Sequence, residues 1–106
     1  MKKIIMVIAA AAFGFAIQAN AAVDEAKAKS LAQSKNCFSC HATDKKLVGP
    51  SYQDVAKKYK GDAGAVGGLT KKLISGGGGV WGPIPMPPNP LKDDEAKLLV
   101  EWILGM

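Results

Sequence analysis

The sequence contains few of the residues that several common functions require. It has no arginine, a single histidine and only two cysteines in 106 residues. Proteins that bind nucleic acids commonly use arginine for bidentate contacts to bases and phosphates, so the lack of arginine disfavours that class. A structural zinc site takes four cysteine or histidine ligands, and the chain has three such residues. No run alternates with period two in the manner of a β-strand, which favours an all-α fold.

The N-terminal residues have the order of a secretory signal peptide. Two lysines precede the apolar run 4–17, which is 14 residues long, and Ala-Asn-Ala follows at 19–21 as a small-x-small cleavage signal. An uncleaved membrane anchor is the alternative, but a bilayer span needs about 20 apolar residues. We therefore predict that residues 1–21 are removed and that residues 22–106 form a single exported domain.

The predicted mature chain is short for a protein without a stabilising group. Removal of 21 of the 106 residues leaves 85, which can bury only a modest apolar core. Domains of this size often depend on disulfides, a metal or a large prosthetic group. A disulfide between Cys37 and Cys40 would close a very small loop and add little, because the entropic gain falls with loop length. The sequence therefore points to a stabilising group other than a disulfide.

Four segments carry helical signals. Ser51 is a candidate N-cap, Gly61 would end the helix that Ser51 begins, and Gly105 marks the end of the last helix. In the last helix, apolar residues recur at i, i+3, i+4 and i+7, which places them on one face. We predict an all-α fold of about four to five short helices, the clearest of them over residues 23–35, 52–59, 66–74 and 92–104.

The segment CFSCH, residues 37–41, has the C-x-x-C-H pattern of covalent haem c attachment. On a tight turn, two thiols at this spacing can each add to one haem vinyl group, and the histidine that follows is held beneath the iron. Cys37 and Cys40 are therefore the predicted attachment residues, His41 is the predicted proximal ligand, and the two intervening residues are spacers. A thioredoxin-like motif would need a surrounding βαβ pattern, which the sequence lacks.

The segment GGGGVWGPIPMPPNP, residues 76–90, holds four consecutive glycines and five of the six prolines around one methionine. A lone methionine is ordinarily core filler, but Met86 lies in a segment with no amphipathic pattern. The other three methionines lie in the signal segment or at the C-terminus, and His41 is the only histidine. Proline fixes φ and lowers the entropy of the unfolded loop. We therefore predict that this segment carries Met86 as the second axial iron ligand.

With CFSCH, the VGP of residues 48–50 and GVWGPIPMPPNP in view, the chain resembles the small class I bacterial cytochromes c. The resemblance is to the cytochrome c-551/c-552 group of soluble electron carriers, and it covers residues 24–104. It implies a small class I cytochrome c fold whose helices wrap around one covalently attached haem c. It also implies the same axial pair, His41 and Met86.

The resemblance further implies contacts around these two ligands. Pro50 would accept a hydrogen bond from the His41 ring and thereby fix the orientation of that ring. The indole N–H of Trp81 would reach a haem propionate, and Asn89 would lie near the Met86 sulfur. Without the resemblance, core packing would be the first interpretation of Trp81, and a turn-forming role the first interpretation of Asn89.

Two protein ligands would close the iron to substrates, so we predict a one-electron carrier rather than an enzyme. The resemblance implies a periplasmic monomer without a membrane span. Its transient redox partners would be a cytochrome bc1-type donor and a nitrite reductase, terminal oxidase or peroxidase acceptor. Lysines would steer acidic partners toward the haem edge, although a merely solvated surface is an equal alternative for each of them. The candidate lysines are Lys35, Lys45, Lys46 and Lys57.

Two other classes remain open at this point. A gas sensor or a peroxidase would require Met86 to be off the iron, and it would favour a second histidine or an arginine over the haem. A maturation or thiol-redox factor would use Cys37 and Cys40 as free thiols, and a covalent haem stain on a denaturing gel would exclude it.

Overall fold

The computed structural model describes residues 23–106. The predicted signal segment, residues 1–21, lies outside this range, so its removal stays a prediction. Within residues 23–106 no β-strand forms, which confirms the all-α prediction, and no helix is long and apolar enough to cross a membrane. The elements are α1 Glu25–Ser34, a 3-10 turn Cys37–Ser39, α2 Tyr52–Lys58, α3 Ala65–Ser75 and α4 Asp93–Leu104.

The beginnings of α2 and α4 are fixed by short local hydrogen bonds. The Ser51 hydroxyl accepts a hydrogen bond from the Asp54 backbone N–H at 3.1 Å, which confirms the predicted cap. At α4, the Lys92 backbone N–H donates to the Glu95 carboxylate at 2.9 Å. One backbone donor at the start of each helix is thereby satisfied. The caps fix the first residue of each helix and therefore determine which of the flanking residues face the interior.

Helix α2 ends earlier than the position of Gly61 predicts. The helix ends at Lys58, with Tyr59 as its C-cap, and Gly61 lies two positions further on with φ of +78°. Gly61 therefore serves the turn that follows α2 rather than the cap itself. Gly105, by contrast, is the C-cap of α4, as predicted.

Asn36 turns the chain from α1 into the CFSCH segment. With φ of 60°, it is the one non-glycine residue of the described chain that has a positive φ. Asparagine tolerates the left-handed region better than most residues do. The reversal places Cys37 directly at the start of the 3-10 turn, only three residues after the end of α1.

Helix α4 forms the centre of the fold, because α1, α2 and α3 all pack against it. Its predicted face is buried, and Leu99 is the largest fully buried apolar side chain among residues 23–106. Most of the other buried apolar side chains are alanines, which bury little area each. The core of the described chain is therefore thin, and it consists of Ala28, Ala32, Tyr52, Ala56, Ala65, Ala96, Leu99, Val100 and Ile103.

Candidate haem site

A cavity of about 560 Å³ opens beside α4, within the range of roughly 300–1,000 Å³ that is usual for ligand sites. The CFSCH segment contributes both cysteines and the histidine to its wall, and the proline-rich segment contributes Met86. The structure therefore brings the four predicted attachment and ligand residues around one space. Apolar side chains from the helices complete the lining, among them Val55, Leu69, Leu73, Leu99, Val100 and Ile103.

The His41 ring is held by the backbone of the VGP segment. Its Nδ1 lies 2.8 Å from the Pro50 carbonyl oxygen, which accepts a hydrogen bond from Nδ1–H and leaves Nε2 free as a ligand. Gly49 packs so closely against the ring that an added Cβ would lie 2.5 Å from Cε1 of His41. Only glycine fits at this position without moving the imidazole.

Phe38 of the CFSCH segment forms an aromatic cluster with Tyr52 and Trp102, and this cluster lies beside His41. The Tyr52 ring stacks on His41 with a centroid separation of 5.2 Å and an interplanar angle of 21°. Phe38 meets Tyr52 edge-on at 6.1 Å and Trp102 at 6.4 Å. The motif alone predicts a spacer role for Phe38, but the structure gives it a packing role between the motif and α4. The sequence feature that could have indicated this packing role is the large aromatic residue between the two attachment cysteines.

The two cysteines are half-buried in the wall of the cavity. Burial raises the pKa of the Cys37 thiol, and the neighbouring Tyr52 hydroxyl lowers that pKa in part. Burial likewise raises the pKa of the Tyr52 hydroxyl, and the nearby Cys37 adds to this effect. Tyr52 therefore stacks on His41 and lies near Cys37, an arrangement that sequence reasoning missed because it joins α2 to the motif.

The Met86 segment is fixed through its main chain. Gly77 and Met86 exchange two backbone hydrogen bonds, with N···O distances of 3.0 and 2.9 Å. A Cβ on Gly76 would lie 2.7 Å from the Met86 carbonyl oxygen and 2.8 Å from the Pro88 nitrogen. The glycines that leave α3 therefore let two stretches of backbone meet at the neck of the loop, and this contact sets the position of Met86.

Trp81 and Asn89 both line the cavity. The Lys58 ammonium lies 5.6 Å from the centre of the Trp81 ring, a cation–π contact that ties α2 to the loop. The Asn89 amide donates to the Leu73 carbonyl at 2.9 Å and to the Pro87 carbonyl at 3.3 Å. These contacts commit the amide nitrogen of Asn89 to the backbone. The expected contacts of Trp81 with a propionate and of Asn89 with the Met86 sulfur stay predictions.

The arrangement fits haem c in two respects. The thiols and the imidazole line a cavity of mostly apolar side chains, and an apolar macrocycle would cover the surface that the thin core leaves open. The glycine under His41 leaves its ring undisturbed. Within residues 23–106 no group of three or more His, Cys, Asp and Glu side chains could hold a metal ion by itself.

The sequence model of the Cytochrome c family matches residues 25–106, and the chain belongs to this family. Among its curated relatives is cytochrome c-551 of Pseudomonas aeruginosa, with 54% identity over 75 residues that cover 71% of this chain and 72% of the relative. Cytochrome c-551 of Stutzerimonas stutzeri is 44% identical over 106 residues, covering 100% of this chain and 99% of the relative.

Solved structures agree with this assignment. The fold is similar to that of wild-type Nitrosomonas europaea cytochrome c552, with a TM-score of 0.70, 45% identity and coverage of 73% of this chain and 96% of that chain. The protein therefore has the class I cytochrome c fold, and it carries one covalently bound haem c. The motif CFSCH provides the matching attachment pattern.

Proposed function

We propose that the protein is a periplasmic one-electron carrier, made as a precursor from which residues 1–21 are removed. The observation that carries this proposal is the presence of His41 and Met86 in the wall of one apolar cavity, each fixed by backbone contacts. Two such ligands leave the iron without a position for a substrate. The role is therefore that of a shuttle and not of an enzyme.

Four residues carry the proposed site. Cys37 and Cys40 form the two thioether bonds, while His41 and Met86 are the axial ligands. When bound, the haem supplies one iron that takes up and releases a single electron. The thioether of Met86 favours the reduced state, and the apolar lining disfavours the extra positive charge of the oxidised state. Because the backbone fixes both ligands, little rearrangement accompanies the change in charge.

The carrier proposal predicts how carbon monoxide acts on the reduced protein. The absorption spectrum of the dithionite-reduced wild type should not change with carbon monoxide, because Met86 occupies the sixth position. The Met86→Ala variant should keep its covalent haem, bind carbon monoxide and show a reduction potential lower by more than about 60 mV, which is a tenfold change in a one-electron equilibrium. Absorption spectra and potentiometric titration measure these results.

Met106→Ala is the matched control, because Met106 is an exposed residue at the C-terminus. It should retain both the wild-type spectrum and the wild-type potential. Prompt carbon monoxide binding by the wild type would contradict the carrier proposal and favour a gas sensor or a peroxidase. An unchanged potential in Met86→Ala would show that another group is the ligand.

The proposed docking surface is an apolar rim at the cavity, made of residues that both line it and reach solvent. Trp81 is 37% exposed and Ile84 is 65% exposed. The rim consists of Leu47, Val48, Trp81 and Ile84.

The candidate lysines differ in exposure. Lys46 lines the cavity and is exposed, and Lys45 and Lys57 are exposed as well. Lys35 is half-buried, and its ammonium donates to the Pro90 carbonyl at 2.9 Å, so it contributes charge from a fixed position.

Lysines beside an apolar rim would steer an acidic redox partner to the haem edge. The second-order rate of electron transfer with an acidic partner should fall as ionic strength rises from about 0.01 to about 0.15 M, because the screening length shortens from about 30 to about 8 Å. Lys46→Glu should lower the rate at low salt. Lys29→Glu is the control, since Lys29 lines a different cavity. Stopped-flow rates independent of salt and of residue 46 would remove the steering proposal.

A further inference from the structure

Tyr52 is the one aromatic residue in the buried core of residues 23–106, with 4% of its surface exposed. It is neither one of the proposed attachment residues nor one of the proposed iron ligands. We propose that Tyr52 is a positioning residue for haem attachment, which holds the His41 ring by stacking and the Cys37 thiol by a hydrogen bond. The proposal rests on the functions proposed for His41 and Cys37, and it adds a residue that belongs to neither the attachment motif nor the ligand pair.

The first part concerns the plane of the His41 ring. The hydrogen bond from Nδ1 to the Pro50 carbonyl fixes one atom of the imidazole, but the ring could still swing about the line of that bond. The Tyr52 ring faces the imidazole at a centroid separation of 5.2 Å with an interplanar angle of 21°. A nearly parallel face resists this swing, so the hydrogen bond and the stack together define both the position and the plane of the ligand.

The second part concerns the Cys37 thiol. The Tyr52 hydroxyl lies near this thiol, and we assign it as the hydrogen-bond donor to the sulfur. Rotation about the Cα–Cβ bond would otherwise give the sulfur three staggered positions. The hydrogen bond favours one of them and so reduces the number of arrangements in which Cys37 and His41 are misaligned. A single side chain thereby links the first and last residues of CFSCH.

Tyr52 can act in this way because its own position is fixed. Its backbone N–H donates to the Ala42 carbonyl at 3.0 Å, and it is the first residue of α2, directly after the Ser51 cap. Trp102 meets its ring edge-on at 5.6 Å, and Phe38 does so at 6.1 Å. The start of α2, the chain after the motif and α4 thus hold the phenol ring in one place.

The chain offers a matched control, because Tyr59, its only other tyrosine, is the C-cap of the same helix. We would mature wild type, Tyr52→Phe, Tyr52→Leu and Tyr59→Phe with haem in a bacterial periplasm. Peptide mass spectrometry would measure the fraction of chains that carry a thioether at Cys37 and at Cys40. Proton NMR of the oxidised proteins would record the haem methyl resonances, whose order and spread report the plane of the axial histidine.

Tyr52→Phe keeps the ring and removes the hydroxyl. It should raise the fraction of chains unmodified at Cys37 by about threefold, consistent with the loss of one hydrogen bond, and leave the methyl pattern unchanged. Tyr52→Leu removes the stack as well, so it should also change the methyl pattern. Tyr59→Phe should match the wild type in both measurements.

A purely structural role for Tyr52 would lower thermal stability and leave both the attachment ratio and the methyl pattern at wild-type values. That result would overturn the positioning proposal. If Tyr52→Leu yields no folded protein, the attachment ratio of Tyr52→Phe decides alone, and equal modification of Cys37 in Tyr52→Phe and wild type would refute the proposed hydrogen bond. Failure of the carrier proposal is seen separately, as carbon monoxide binding by the wild type.

Discussion

Gly49→Ala is expected to displace the His41 imidazole and to destabilise the haem-loaded protein by about 1–3 kcal/mol, the usual cost of overpacking. The added methyl group would lie 2.5 Å from Cε1 and 2.9 Å from Nδ1 of His41, so the ring or the backbone would have to move. Movement of the ring would stretch its 2.8 Å contact with the Pro50 carbonyl. The variant should therefore show an altered haem methyl pattern in NMR as well as a lower midpoint in denaturant.

Gly105→Ala provides the control for a general effect of glycine replacement. An alanine Cβ there would meet its nearest atom, the Glu101 carbonyl oxygen, at 3.4 Å, which is close to an ordinary contact. We expect a change in the free energy of unfolding within about 0.5 kcal/mol, as for most surface substitutions. If Gly49→Ala matched this control in stability and in its haem methyl pattern, the close packing of Gly49 on the ring would have no energetic role.

Gly76→Ala is expected to open the neck of the Met86 loop. Gly76 has φ of +75° and ψ of −178°, a region that is essentially restricted to glycine and costs other residues about 1–3 kcal/mol. The new methyl group would also collide with the Met86 carbonyl oxygen at 2.7 Å, which adds about 1–3 kcal/mol of overpacking. The sum is large against the roughly 5–15 kcal/mol by which most domains are stable. The reduced variant should bind carbon monoxide, because Met86 is displaced.

Gly79→Ala separates the two contributions. Gly79 also has a positive φ, +95°, but an added Cβ would have no atom within 4 Å. This variant should lose about 1–2 kcal/mol from backbone strain and should still exclude carbon monoxide. Denaturant titration and absorption spectra of the two variants provide the comparison. Carbon monoxide binding by both variants, or by neither, would contradict the role assigned to the contact between Gly76 and Met86.

Sequence reasoning succeeded for the helices because their signals are local. The observed α3 and α4 begin within one residue of the predicted positions, and the predicted Ser51 cap forms. The end of α2 differs, since Gly61 signals a reversal of the chain but not where the last helical hydrogen bond lies. Helix ends depend on which carbonyls find partners beyond the helix, and the order of residues does not specify those partners.

The same difference between local and distant signals applies to the candidate site. Covalent attachment imposes a fixed spacing on Cys37, Cys40 and His41, so that part could be predicted from five consecutive letters. Tyr52 and Lys58 could not be assigned, because one contacts the motif from the next helix and the other reaches across to a tryptophan in a distant loop. Such contacts depend on how α2 packs, which a single sequence does not encode in any short pattern.

The paired backbone hydrogen bonds between Gly77 and Met86 have a consequence for competition at the iron. A thioether is a weak ligand, and a free one would be lost to any stronger molecule in solution. A ligand held on a short closed loop instead returns to the same place at an effective concentration of millimolar or higher. The prolines at positions 85, 87 and 88 raise this value further by limiting where the chain can go. Small molecules would therefore compete with the intrinsic affinity of the proposed ligand Met86 multiplied by this local concentration.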